Sequence, residues 1–147
     1  MTQHFLMPFA ALLTIAGALG QDNQPLLTPL EKEFQESMTS VTLAGRYTSA
    51  GGNLAEDKYV IEKVTKVKDD LWRFEARVQY GGKDLRLPVN LHVKWAGDTP
   101  VLQLTEEQVG PMGKFSVRIV IYKGQYAGTW SGGQGHGGQL FGAIARN

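Results

Sequence analysis

LWRFEARVQYGGKDLRLPVNLHVKW, residues 71–95, decides the fold. From Trp72, the residues Phe74, Ala76, Val78 and Tyr80 are apolar, while Arg73, Glu75, Arg77 and Gln79 between them are polar. Alternation with a period of two puts one set on each face of a half-buried β-strand. Gly81-Gly82 reads as a hairpin turn. The pattern resumes with Leu85, Leu87, Val89, Leu91, Val93 and Trp95 against Arg86, Pro88, Asn90, His92 and Lys94. Pro88 has no N–H to give a neighbour, so it predicts a bulge or an unpaired edge. Turning the faces round would put Trp72, Phe74, Leu87 and Trp95 in water, at roughly 1.5–3 kcal/mol for each side chain. Arg73, Arg77, Arg86 and Lys94 are therefore expected on a solvated outer face.

Working outward, shorter runs complete the set. Residues 45–50 are anchored by Tyr47, residues 58–67 mix their faces, and residues 101–106 are short. Phe115, Val117, Ile119 and Ile121 alternate, Tyr126 and Trp130 share a face in 125–131, and 139–146 closes the chain. The reading is all-β with eight strands. Tight turns make sequential neighbours antiparallel. An up-and-down meander with one apolar face buries it by closing into a barrel, which also removes exposed edges. The alternative is a β-sandwich, with the long connection 106–113 crossing between sheets. Before the strands, Thr28-Pro29-Leu30-Glu31 carries the signature of a capped helix start, and Leu30, Phe34 and Met38 recur along one stripe. A helix that short needs something to lie on, and its own domain is the expected support.

The chain has 147 residues, enough for one core. Its domains read as a signal peptide over 1–20, a linker and short helix over 21–40, and a β-barrel over 41–147. Residues 1–20 contain no Asp, Glu, Lys or Arg. The apolar run from Phe5 to Ala16 is short of the ~20 residues that span a bilayer, and Ala18-Leu19-Gly20 suits cleavage before Gln21. Export to a periplasmic or extracellular space is the expectation, with no stable membrane span after cleavage. A net charge of +1 argues against nucleic acid as partner. With no cysteine there are no disulfides and no thiolate ligands.

An exported eight-strand meander, opened by a short helix and a Gly-x-Tyr strand start at Gly45-Arg46-Tyr47, resembles the calycin group of lipocalins, fatty-acid-binding proteins and avidins. The resemblance covers residues 43–146 and is architectural; Tyr47 stands where the lipocalin signature has Trp. It implies a barrel holding a small ligand. Two stretches, Trp95-Ala96-Gly97-Asp98-Thr99-Pro100 and Tyr126-Ala127-Gly128-Thr129-Trp130-Ser131, also look similar to an uncharacterised family of secreted bacterial proteins, which implies export.

Several constellations are not expected to carry chemistry. Gly133, Gly135 and Gly138 have the G-x-G-x-x-G spacing, but a strand rather than a helix is expected to follow, so no pyrophosphate meets a helix N-terminus. A hairpin loop, or a lid over a barrel mouth with His136 touching a ligand, fits that segment better. His92 and His136 form no zinc pattern, and no metal or cofactor is expected. The pairs Glu56-Asp57, Asp69-Asp70 and Glu106-Glu107 are expected at strand ends or turns, in water, so no carboxylic acid has the apolar surround that raises its pKa for acid catalysis. Pocket candidates are Trp72, Phe74, Tyr80, Trp95, Tyr126 and Trp130, with His136 at the mouth. Ala127, Gly128, Gly142 and Ala143 leave room for a cavity or a tight seam. The leading expectation is a binding protein for a small apolar or amphipathic ligand, with an apolar cavity of a few hundred cubic ångströms. A solid-core structural or interaction module of the cell envelope is the alternative, and enzymatic activity ranks behind both.

Overall fold

The computed structural model describes residues 23–147. Helix α1, Pro29–Met38, precedes eight strands: β1 Val41–Thr48, β2 Leu54–Lys68, β3 Leu71–Tyr80, β4 Lys83–Ala96, β5 Thr99–Gln108, β6 Lys114–Tyr122, β7 Gln125–Ser131 and β8 Gly137–Arg146. Each strand pairs antiparallel with the next and β8 returns to β1, closing an up-and-down barrel. The sandwich alternative is excluded by that β1–β8 ladder. The signal-peptide reading lies outside the described residues. Among the described residues, no helix is long and apolar enough to cross a membrane.

The predicted alternation is realised in β3, where Trp72, Phe74, Ala76 and Val78 are buried and Arg73, Glu75 and Arg77 are exposed. On the expected outer face, Arg77, Arg86 and Lys94 are held in ion pairs. Arg77 Nε donates to Asp84 Oδ1 at 2.8 Å, Arg86 lies 3.0 Å from Glu62, and Lys94 and His92 both reach Asp70.

Strands β1, β2 and β5 depart most from their expected spans. Strand β1 begins at Val41, so Gly45-Arg46-Tyr47 lies within it and not at its start. The mixed faces of β2 come from a register shift between Ile61 and Lys63, which passes the buried face from Ile61 to Val64, and a second shift between Lys66 and Lys68 lies at the exposed end of the strand. A third shift, between Leu104 and Glu107, extends β5 beyond its expected end. There Glu106 takes a φ of 52° and its N–H donates to Ser116 Oγ at 2.9 Å. Arg118 braces the kink, donating to the Leu104 carbonyl and to Thr105 Oγ1.

The two ends of the barrel differ. At one end α1 lies across the opening. Thr28 and Glu31 form the expected capping box, Gln35 Nε2 donates to the Val64 carbonyl at 2.9 Å, and Lys66 pairs with Glu31. Phe34 enters the end of the core, edge-on to Trp72 at 5.2 Å and to Trp95 at 5.8 Å. At the other end four turns surround a mouth: 49–53, Gly81-Gly82, 109–113 and 132–136. Here the β4–β5 seam is incomplete. Only His92–Ala96 pair with Thr99–Gln103, while the first part of β4 bonds to β3 alone. Pro88 sits on that unpaired edge, as its missing N–H requires. The 109–113 loop leans over the gap, bringing Gly110 against Leu87 and burying Val109.

Candidate functional site

The interior holds a cavity of about 190 Å³ that runs from Met38 under the helix to Met112 and Phe115 at the mouth. It is smaller than the sequence expectation because large side chains fill much of the bore. Tyr47 ties the mouth together, edge-on to Tyr80 at 6.2 Å and to Trp130 at 5.9 Å. A second depression of about 380 Å³ lies outside the barrel between α1 and the β4–β5 and β6–β7 turns. It is larger, but it is a groove with Glu33, Asp98 and Lys123 on its sides. The interior cavity encloses a guest with apolar walls, and is the better site.

Of the pocket candidates, Phe74, Tyr80, Tyr126 and Trp130 line the cavity. Trp72, fully buried, and Trp95 pack instead on Phe34 at the helix end, and Trp95 borders the outer groove. His136 is exposed in the β7–β8 loop and does not reach the cavity wall. That loop is a short 3-10 turn between two strands, so the glycine spacing has no helix N-terminus to serve. Gly128 and Gly142 form seams, since a Cβ on Gly128 would lie 2.8 Å from the Ile119 Cα.

Asp57 was expected in water at a strand end. It lies within β2, facing inward, with 4% of its surface exposed, and is the one buried polar or charged residue among the described residues. Tyr59, two residues along the same face, donates to its Oδ2 at 2.9 Å, and Tyr126 donates to its Oδ1 at 3.1 Å. Tyr126 belongs to β7, and β8 and β1 lie between. Register pairs Tyr126 with Gly142, Gly142 with Gly45, and Gly45 with Asp57. The phenol lies across both glycines. A Cβ on Gly45 would stand 2.6 Å from its Oη, and one on Gly142 2.7 Å from its Cε1. The signal available in sequence was a glycine in each of two inward positions beside an aromatic strand; only the register reveals what crosses them.

Desolvation pushes the Asp57 carboxyl above its ordinary value, although hydrogen bonds from Tyr59 and Tyr126 favour its charged form. Burial first, and then the Asp57 charge, push both phenols up, so they keep their protons. One further polar atom stands out. Trp130 Nε1 is buried with no hydrogen-bond partner among the described residues. A buried donor left unpaired costs about 1–3 kcal/mol. Among the described residues, no cluster of three His, Cys, Asp or Glu is placed to hold a metal. The arrangement can enclose an apolar body and offer a few hydrogen-bonding atoms to its polar end.

No protein-family model, curated protein or solved structure matches the chain. The closed eight-stranded barrel is consistent with a calycin-like architecture in general.

Proposed function

We propose that this is a binding protein that holds one small apolar or amphipathic molecule inside a calycin-like barrel. The observation that carries the reading is the 190 Å³ apolar cavity reaching an aromatic mouth. An apolar cavity of about 150 Å³ takes up a benzene-sized guest, so the space suits a compact ring or a short chain rather than a whole long-chain lipid. The open seam between β4 and β5, covered by the 109–113 loop, offers an entry route.

Export is part of this proposal. It rests on the uncharged residues 1–20 and the small residues before Gln21. N-terminal sequencing of the protein from its own host should begin at Gln21; an intact Met1 would overturn export with cleavage.

The competing solid-core module also has an observation on its side. On the outer face, Val120, Ala127 and Phe141 stand in one cross-strand row, and Val120 and Phe141 are both exposed. The internal cavity favours the binding reading over it. Native mass spectrometry of the host-derived protein decides between them. A retained small molecule, or saturable shifts of cavity resonances on titration with toluene, is expected. A bare chain mass with no toluene response would end the binding proposal.

A further inference from the structure

Two polar atoms of the cavity wall, the phenol oxygens of Tyr59 and Tyr126, have a definite sense. A phenol carries one proton, and Tyr59 and Tyr126 each direct theirs to Asp57. With those protons committed, both oxygens can only accept from anything else. Both residues line the cavity. Behind them, Asp57 has no cationic partner, for none of the ion pairs among the described residues includes it. An unpaired buried carboxylate gives the cavity a negative field, and the low-dielectric wall strengthens it.

We propose that the cavity takes a small apolar molecule ending in an amine, its ammonium held against the Tyr59 and Tyr126 oxygens in front of Asp57. This names the ligand class of the binding site above and rests on that reading. An ammonium has donors enough to meet both oxygens at once and brings the countercharge that no ion pair among the described residues supplies. A hydroxyl guest brings one donor and no charge. A carboxylate guest would set a like charge beside Asp57, so fatty-acid-type ligands are disfavoured. The apolar body is limited to about one ring by the cavity volume.

The test is calorimetric titration of the full chain at neutral pH with toluene, benzyl alcohol, benzylamine and benzoate, which share one ring. Benzylamine is expected to bind at least about tenfold more tightly than benzyl alcohol, and benzoate to show no binding. Asp57→Asn should erase the amine preference and leave toluene binding in place. Tyr59→Phe, which removes one accepting oxygen, should reduce the preference and serves if the Asn variant does not fold. Toluene binding without an amine preference, or a preference that survives these substitutions, would overturn this inference alone. No binding of any of the four would overturn the binding proposal with it.

Discussion

The hydroxyl of Tyr126 on β7 reaches Asp57 on β2 at 3.1 Å by lying across Gly142 and Gly45, the glycines of the two strands between them. The bond spans the seam where the last two strands meet the first two. It links the ends of the chain's β-structure through side chains as well as through the β1–β8 ladder. Its cost is a carboxyl group placed inside an otherwise apolar barrel.

Removing the donor should therefore be felt. Tyr126→Phe keeps the ring over the glycines but leaves one Asp57 oxygen unpaired, and is expected to destabilise the fold by about 1–3 kcal/mol. Gly142→Ala acts on the same contact from the other side. Its Cβ would collide with the Tyr126 ring and the Ala44 carbonyl, so a loss of about 1–3 kcal/mol is expected from overpacking. Urea denaturation of the two single variants and the double variant checks this. The double variant should lose less than the sum, because both changes break one bond.

Asp57 also sets a pH dependence opposite in sign to that of ordinary surface carboxylates. Its pKa is raised in the folded state, so the folded chain holds the proton more tightly than the unfolded one. The resulting stabilisation is fully present below the unfolded value, about 3.9, and is lost as pH rises through the folded value. The stability of the wild type relative to Asp57→Asn should fall over that interval and then level off. Urea midpoints from pH 3 to 8, paired with the carboxyl ¹³C titration of Asp57, measure it. A relative stability that rises with pH would contradict the burial argument.

Asp70 and Asp84 work in the other direction. Hydrogen bonds from Lys94 and His92 pull Asp70 down to about 2, and those from Arg77 and Gln79 pull Asp84 down to about 2. Their contribution is present above the unfolded carboxylate value and is lost as pH falls towards 2. Both pairs are solvent-accessible, so the effect is modest and screened by salt. Asp70→Asn should lower stability modestly at pH 7 and leave it unchanged near pH 2, which flattens the acid limb of the profile, and added salt should reduce the loss at pH 7.

How much could be read from the chain depends on which interactions set each feature. The alternation in 71–95 is a local record of one buried face, and β3 and β4 follow it. Thr28 to Glu31 caps the helix through contacts three residues apart, equally local. The long-range features were hidden. The register shift after Ile61 in β2 swaps its inward face, which reads in sequence as confusion between Tyr59-Ile61 and Val60-Val64. Asp57 looks like a charge bound for water because composition carries no trace of the phenol arriving from residue 126. Trp72 and Trp95 look like pocket aromatics because the pattern shows which face is buried, but not which layer Phe34 fills. The seam gap was half legible, since Pro88 marked an unpaired edge without saying that β5 bends away there.

The helix end supplies the last prediction, which separates local from tertiary stabilisation. Phe34 sits edge-on to Trp72, Phe74 and Trp95, with ring centroids 5.2, 6.3 and 5.8 Å away. Phe34→Ala removes a buried ring from a site where three rigid aromatics cannot collapse into the void, and about 3–5 kcal/mol should be lost. Thr28→Ala removes only a cap from the same helix, at about 1 kcal/mol. If α1 were merely laid on the surface, the two losses would be similar. A deeper loss for Phe34→Ala in urea denaturation, with faster amide exchange in Val41, Val64 and Trp72, is expected of a helix that closes the barrel. Toluene affinity adds a second readout. Met38 from the same helix forms the floor of the cavity, so loosening the helix should weaken binding as well as folding. Thr28→Ala, which leaves Phe34 and Met38 seated, should leave binding almost unchanged.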